Sequence, residues 1–152
     1  SFDANGIITK PLQPAFHVTL SSSQTNFALA TTHTIVFGTE IYDQNADFAS
    51  NTFTAPVTGK YLLVANMGLL NIDIDASYLY IQIVTSNRNY LNIKDFRALD
   101  FDATYWSQSV TGIADMDAND TAIVQLRING GAAQTDLEAN EAYTYFSGYL
   151  LG

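Results

Sequence analysis

The stretch GKYLLVANMGLL, residues 59–70, constrains the fold more than any other part of the sequence. Both of its alternating sets of positions are apolar, and Asn66 is the only strongly polar interior residue. A strand that packs one face on a core and turns the other to water alternates apolar and polar residues. The stretch therefore predicts a strand covered on both faces. The cover is either another molecule or a segment of the same chain.

The composition indicates one globular domain rather than a disordered chain. Of the 152 residues, 47% are hydrophobic and 14% are charged, so the chain has enough apolar residues to form a hydrophobic core. The net charge is −9, with six basic and fifteen acidic residues and no basic cluster. A nucleic acid or acidic membrane partner requires such a cluster, so neither is expected. No apolar run reaches the roughly 18 residues of a membrane span, so we expect no membrane insertion. Cysteine is absent, which excludes disulfides and thiolate metal sites.

The pattern along the chain predicts an all-β fold of about ten strands, a jelly-roll β-sandwich. Extended segments recur every 8–14 residues and end at turn residues. Examples are PAFHVTL (14–20), HTIVFGTEIY (33–42), SYLYIQIVTS (77–86), TYWSQSVTGIADM (104–116) and AYTYFSGYLLG (142–152). We interpret residues 1–13 as an irregular lead-in and residues 14–152 as the domain.

Three stretches together resemble one family. They are KPLQPAFHV, the block IVFGTEIYDQNADFASNTFTAPVTGKYLLVA with its F-T-x-P-x-x-G-x-Y pattern, and the closing YTYFSGYLLG with F-S-G-[FY]-L. The chain resembles the C1q globular domain of the C1q/TNF-like jelly-roll superfamily. The segments YDQNADFASNTFTAPVTGKY and IVTSNRNY are similar in sequence to C1q-like domains of phage fibre and virion structural proteins. Asn119 stands where the family's strand-to-strand turn carries glycine.

The resemblance implies a homotrimer in which each sandwich gives one sheet face to its neighbours. By position in the family pattern, Leu62, Val64 and Phe146 are expected at the trimer interface, while Tyr61 and Leu63 point into the sandwich. Each apolar side chain kept dry contributes about 1.5–3 kcal/mol. Several per subunit predict an obligate interface of at least about 2,000 Å².

The resemblance also implies a role. We expect a trimeric knob of a fibre or virion appendage, extracellular or on the virion surface, that binds a host-surface glycan or protein. A purely structural trimerisation or capping domain without ligand is the alternative. Tyr78, Tyr80 and Trp106 are the ligand-binding candidates, because aromatic rings stack on sugars and on apolar partner surfaces.

The sequence offers few candidate catalytic or metal-binding residues. Neither His17, beside Ser21–Ser23, nor His33 has a nucleophile-elbow signature nearby, so we expect no enzyme and no catalytic residue. DMDAND (115–120) lacks the glycine and glutamate of an EF-hand and is predicted to be a turn. No cofactor is expected. Asp73 and Asp75 are weak candidates for Ca²⁺, since acidic loops of three copies could meet near an axis and some relatives bind calcium near the apex.

Overall fold

The computed structural model describes residues 6, 8 and 10–152; residues 1–5, 7 and 9 of the predicted lead-in lie outside the described residues. Within that part no helix occurs, so none can span a membrane. The strands are β1 (Ala15–Thr19), β2 (Thr32–Thr34), β3 (Thr39–Gln44), β4 (Phe48–Ala49), β5 (Thr52–Thr54), β6 (Gly59–Ile72), β7 (Ala76–Thr85), β8 (Asn89–Lys94), β9 (Ala103–Met116), β10 (Thr121–Gly130), β11 (Asp136–Leu137) and β12 (Tyr145–Leu150).

These strands form two six-stranded antiparallel sheets. The first has the order β11-β6-β12-β1-β3, with β9 on the other side of β6. The second has the order β4-β5-β10-β7-β8, and β2 also pairs with β10. The predicted all-β sandwich is confirmed. The described residues form twelve strands where the sequence predicts about ten. The sequence does not predict the two-residue strands β4 and β11, and one predicted segment is divided.

The divided segment is 33–42, predicted as one extended stretch. Its first part pairs with β10 in the second sheet, and its last part pairs with β1 in the first. Between them Ile35 and Phe37 are buried. The chain therefore crosses from one sheet to the other here, and these two side chains fill the core at the crossing.

The core lies between the sheets and is rich in aromatic residues. The ring of Phe16 lies 4.6 Å from Phe53 and 4.9 Å from Phe146, and Phe48 packs at 5.3 Å. The core-facing set of β6, Tyr61 to Leu69, is fully buried, as the sequence predicts for Tyr61 and Leu63. One face of this strand is thus covered within the chain.

The turn between β9 and β10 is confirmed at residues 117–120. The Asp120 carboxylate accepts a bond from the Asp117 backbone N–H at 2.8 Å. Asn119 has a φ of 76°, the left-handed conformation that glycine adopts most easily and asparagine tolerates. Asparagine therefore replaces the family's glycine here in a backbone conformation that glycine also adopts.

Candidate functional site

The outward side of the first sheet is what we call the open face. Its residues lie in three rows across strands β9, β6, β12, β1 and β3: Ile113–Leu62–Tyr149–Ala15–Gln44, Thr111–Val64–Ser147–His17–Tyr42 and Ser109–Asn66–Tyr145–Thr19–Thr39. None of these rows contains an aspartate, glutamate, lysine or arginine. The row beyond them, Asp115–Lys60, is charged. An uncharged patch with charge only at its edge is typical of the centre of an interface.

Much of the apolar surface of the open face is accessible. Ile113 is 58% exposed, Tyr42 52% and Tyr149 47%. Leu62 and Val64 are half-buried between them. Soluble monomers rarely expose a large contiguous apolar patch. The second face of residues 59–70, unlike the first, is therefore left partly open to solvent by the described residues.

One end of the open face is covered by the chain itself. The Tyr143 ring lies directly over Gly68. It occupies the space that the Cβ of any other residue at this position would need. The Tyr143 carbonyl also accepts a bond from the Asn66 amide at 2.5 Å. A loop residue of the same chain thus covers the second face of β6 near Gly68. It does not cover Leu62 and Val64.

The prediction for Phe146 is wrong. Its side chain is fully buried within the single chain, among Phe16, Phe37 and Phe48. The register explains the error, because Phe146 pairs with Ala65, a core-facing position, while Ser147 pairs with Val64. The residues that β12 contributes to the open face are consequently Tyr145, Ser147 and Tyr149.

His17 lies at the middle of the open face. Its Nδ1 is 2.5 Å from the Ser147 hydroxyl, and its ring lies 5.1 Å from that of Tyr145 and 5.8 Å from that of Tyr42. Burial lowers the pKa of His17 more than the nearby Glu141 carboxylate raises it. The serine beside it is Ser147 rather than Ser21–Ser23. Within the described chain no carboxylate bonds its ring, so the third member of a catalytic triad is not in place.

The outward side of the second sheet carries two of the three ligand-binding candidates. The rings of Tyr78 and Tyr80 are parallel to within 4°, with centroids 6.2 Å apart. Across the sheet Arg127 pairs with Tyr80 on one side and with Thr32 on the other. We call Tyr78, Tyr80 and Arg127 the tyrosine–arginine row.

Trp106, the third candidate, does not belong to this row. It lies on β9 in the other sheet, with its ring 5.0 Å from that of Phe96 and its Nε1 donating to Gln108 at 3.2 Å. Together with Tyr105 and Tyr143 it lines a cleft of about 390 Å³. The structure therefore separates Trp106 from the two tyrosines.

Asp73 and Asp75 lie in the turn between β6 and β7. The two Asp73 oxygens accept bonds from the backbone N–H groups of Asp75, at 2.8 Å, and Ala132, at 2.6 Å. Among the described residues no group of three histidine or carboxylate side chains could hold a metal ion. Asp73 thus holds two loops together within one chain, and calcium binding between chains stays a prediction.

Sequence reasoning missed the two residues at the centres of these faces, His17 and Arg127. The sequence signal for His17 was its place in the alternating pattern of β1. Phe16 and Val18 are apolar, so the side chains of Ala15 and His17 lie together on the opposite face of the strand. Arg127 gave no comparable signal, because its neighbours Thr32 and Tyr80 are far away in the sequence.

Comparison with known proteins agrees with this architecture. A sequence model of the C1q domain family matches residues 15–151. No curated protein sequence matches the chain. The globular domain of zebrafish complement 1qA superposes with a TM-score of 0.60 at 17% identity, covering 92% of this chain and 98% of that one. Murine APRIL at pH 8.5 superposes with a TM-score of 0.64 at 13% identity, covering 91% and 99%. The C1q/TNF-like jelly roll is thereby confirmed as the fold.

Proposed function

Because the chain belongs to the C1q domain family, we propose that it is a homotrimeric knob that binds a ligand rather than catalyses a reaction. The observation that carries the proposal is the open face, an uncharged sheet surface with Ile113, Tyr149 and Tyr42 about half exposed. Covering it with identical copies would remove this apolar area from water, which favours association.

The place of the knob in a larger assembly is part of the same proposal. The resemblance of residues 42–61 to C1q-like domains of phage fibres supports a position at the end of a fibre or virion appendage, outside the cell or on the virion surface. The ligand is a host-surface glycan or protein. Three copies around an axis would combine weak contacts into a stronger overall attachment.

A matched pair of variants tests the assembly. Ile113→Glu places a charge on the open face, and Ile93→Glu places one on the outward side of the second sheet; the two side chains are 58% and 53% exposed, so each folded monomer should tolerate the change. We expect sedimentation equilibrium to show a trimer for the unmodified chain and for Ile93→Glu, and a monomer for Ile113→Glu. A trimer that survives Ile113→Glu would show that this face is not the interface.

A second test addresses the ligand. The 152-residue chain, labelled and applied to host cells and to a glycan array, should bind a defined subset of surfaces. A trimer that binds none of them would support the alternative of a purely structural cap. Turnover of host polysaccharide by the chain would contradict the non-enzymatic part of the proposal.

A further inference from the structure

Arg127 differs from the other two arginines in its surroundings. Arg88 and Arg97 each form an ion pair at 2.6 Å, with Asp115 and Asp95. Within the described part of the chain no carboxylate lies within ion-pairing distance of Arg127. In a protein with fifteen acidic residues, an arginine without such a neighbour stands out, because a carboxylate partner is abundant.

The bonds that Arg127 does make leave most of its hydrogen-bonding capacity unused. Its Nε donates to the Tyr78 hydroxyl at 3.3 Å, and its Nη1 donates to the Thr32 hydroxyl at 3.4 Å. Both acceptors are neutral and both distances are long for an N–H to oxygen bond. A guanidinium has five N–H donors in a planar fork that fits a carboxylate, so the fork is oriented by two contacts and retains donors for an anion.

The surface around the guanidinium suits a sugar ring. The parallel rings of Tyr78 and Tyr80 lie beside Arg127 and are only half-buried. The next row across the sheet presents the Thr34 hydroxyl and the Gln125 amide, and the buried Gln82 amide beneath this surface donates to the Gln125 side-chain oxygen at 2.8 Å. Aromatic rings pack against the apolar faces of sugars, while hydroxyl and amide groups exchange hydrogen bonds with sugar hydroxyls.

We propose that the tyrosine–arginine row is the ligand site of the knob and binds a sugar that carries a carboxylate. The carboxylate takes the remaining donors of Arg127, and the ring of the sugar lies against Tyr78 and Tyr80. This inference rests on the proposed function, because it names the ligand class for the same knob. A single cation on a chain of net charge −9 suits one carboxylate and disfavours polyanions such as sulfated polysaccharides.

The site is compatible with the assembly. The row lies on the second sheet, while the open face lies on the first, on the opposite side of the sandwich. Trimer formation through the open face therefore leaves the tyrosine–arginine row of each of the three subunits accessible. The three equivalent weak sites would engage a glycan-coated surface together.

The test is an NMR titration of the 152-residue chain with 3′-sialyllactose, with lactose as the neutral counterpart and with sodium acetate as a carboxylate without a sugar. We expect shifts at residues of β7 and β10 with sialyllactose and much weaker binding of the other two. Arg127→Gln should weaken sialyllactose binding roughly tenfold to a hundredfold, because a charge-assisted bidentate contact is lost. Arg127→Lys, which keeps the charge but not the fork, should fall in between.

Two further variants complete the design. Tyr80→Ala, which removes a ring, should also weaken binding, whereas Arg88→Gln, which removes an arginine that is paired with Asp115, should not. Thermal melts of all variants establish that each is folded.

Equal binding of lactose and sialyllactose, or unchanged affinity in folded Arg127→Gln, would overturn the inference and leave the proposed knob intact. Binding of acetate as strong as that of sialyllactose would overturn it too. A trimer that binds glycans elsewhere, with no shifts in β7 or β10, would refute this site but not the proposed function.

Discussion

At the scale of single residues, the pH response of the open face is expected to depend on His17. Its ring lies between Tyr42 and Tyr145 and bonds to Ser147, so its neighbours are uncharged except for the more distant Glu141. Burial lowers its pKa below the ordinary value of 6.5, because the charged ring would lose hydration. Covering the face with another subunit would remove further water and lower the pKa more.

We therefore expect acid to weaken both the fold and the proposed trimer. The folded chain has the lower pKa, so the unfolded chain takes up the proton first as the pH falls. The stability contributed by the neutral ring is complete above pH 6.5 and is lost as the pH falls below that value towards the folded pKa. Sedimentation and thermal melts between pH 8 and pH 5 should show this loss, and His17→Gln should reduce it.

The second histidine provides the control. His33 bonds to the Ala28 carbonyl at 2.9 Å and lies in β2 of the other sheet, away from the open face. His33→Gln should keep the acid sensitivity of the unmodified chain. If His17→Gln and the unmodified chain lose the trimer over the same pH interval, His17 is not the group responsible.

Neighbouring positions of β12 should respond differently to truncation, because they point to opposite faces. Phe146→Ala opens a cavity in the aromatic core and should lower the free energy of unfolding by about 3–5 kcal/mol. Tyr149→Ala removes a side chain that is 47% exposed in the single chain. It should change the unfolding of an isolated subunit much less and weaken association instead. Urea titration at low concentration, together with sedimentation, separates the two effects, and the reverse pattern would contradict the register of β12.

Among the elements, β8 and β9 connect the two sheets along one side of the sandwich. The Gln108 amide of β9 donates to the Asn92 carbonyl of β8 at 2.7 Å, and the Asn92 amide donates to the Ser109 carbonyl at 2.6 Å. The Tyr90 hydroxyl donates to the Ile113 carbonyl at 2.8 Å. The Asn92 and Tyr90 side chains thus occupy backbone acceptors of β9 that could otherwise pair with another strand, and the Gln108 side chain occupies one of β8.

Gln108→Ala should loosen this connection. Gln108 is 2% exposed, and its loss leaves the Asn92 carbonyl and the Trp106 N–H without a bond. Unsatisfied buried groups cost about 1–3 kcal/mol, so unfolding should become easier by that amount. Hydrogen exchange should accelerate at the amides of β8. Thr104→Ala, at an exposed position of the same strand outside the three rows of the open face, is the control and should leave the exchange of β8 unchanged. Equal exchange in both variants would argue against the connection.

At the scale of the whole molecule, the proposed assembly through the open face would link folding to association. A protein whose folded subunits associate is stabilised by its own concentration, since association removes folded subunits from the unfolding equilibrium. We expect the melting temperature of the unmodified chain to rise with protein concentration. That of Ile113→Glu should be independent of concentration, and a concentration-independent melt of both would contradict obligate assembly.

The sequence predicts more of the fold than of the candidate site. The alternation of apolar residues in β7 and the recurrence of extended segments between turn residues are enough to indicate an all-β sandwich. The doubly apolar stretch 59–70 is enough to indicate a second covered face. The resemblance to the family, rather than the strand itself, assigned Tyr61 and Leu63 to the core. Alternation is a local property, because side chains alternate along a strand whatever its partners are.

Tertiary structure alone decided which strand positions lie side by side. The YTYFSGYLL segment is apolar or aromatic at both parities, so only its register against β6 shows that Phe146 is in the core and Tyr149 outside. Segment 33–42 divides between sheets because its two parts find different partners. Arg127 meets Tyr78, Tyr80 and Thr32 only through the pairing of β10 with β7 and β2. Such cross-strand contacts depend on register and topology, which are set by packing of the whole sandwich rather than by any segment.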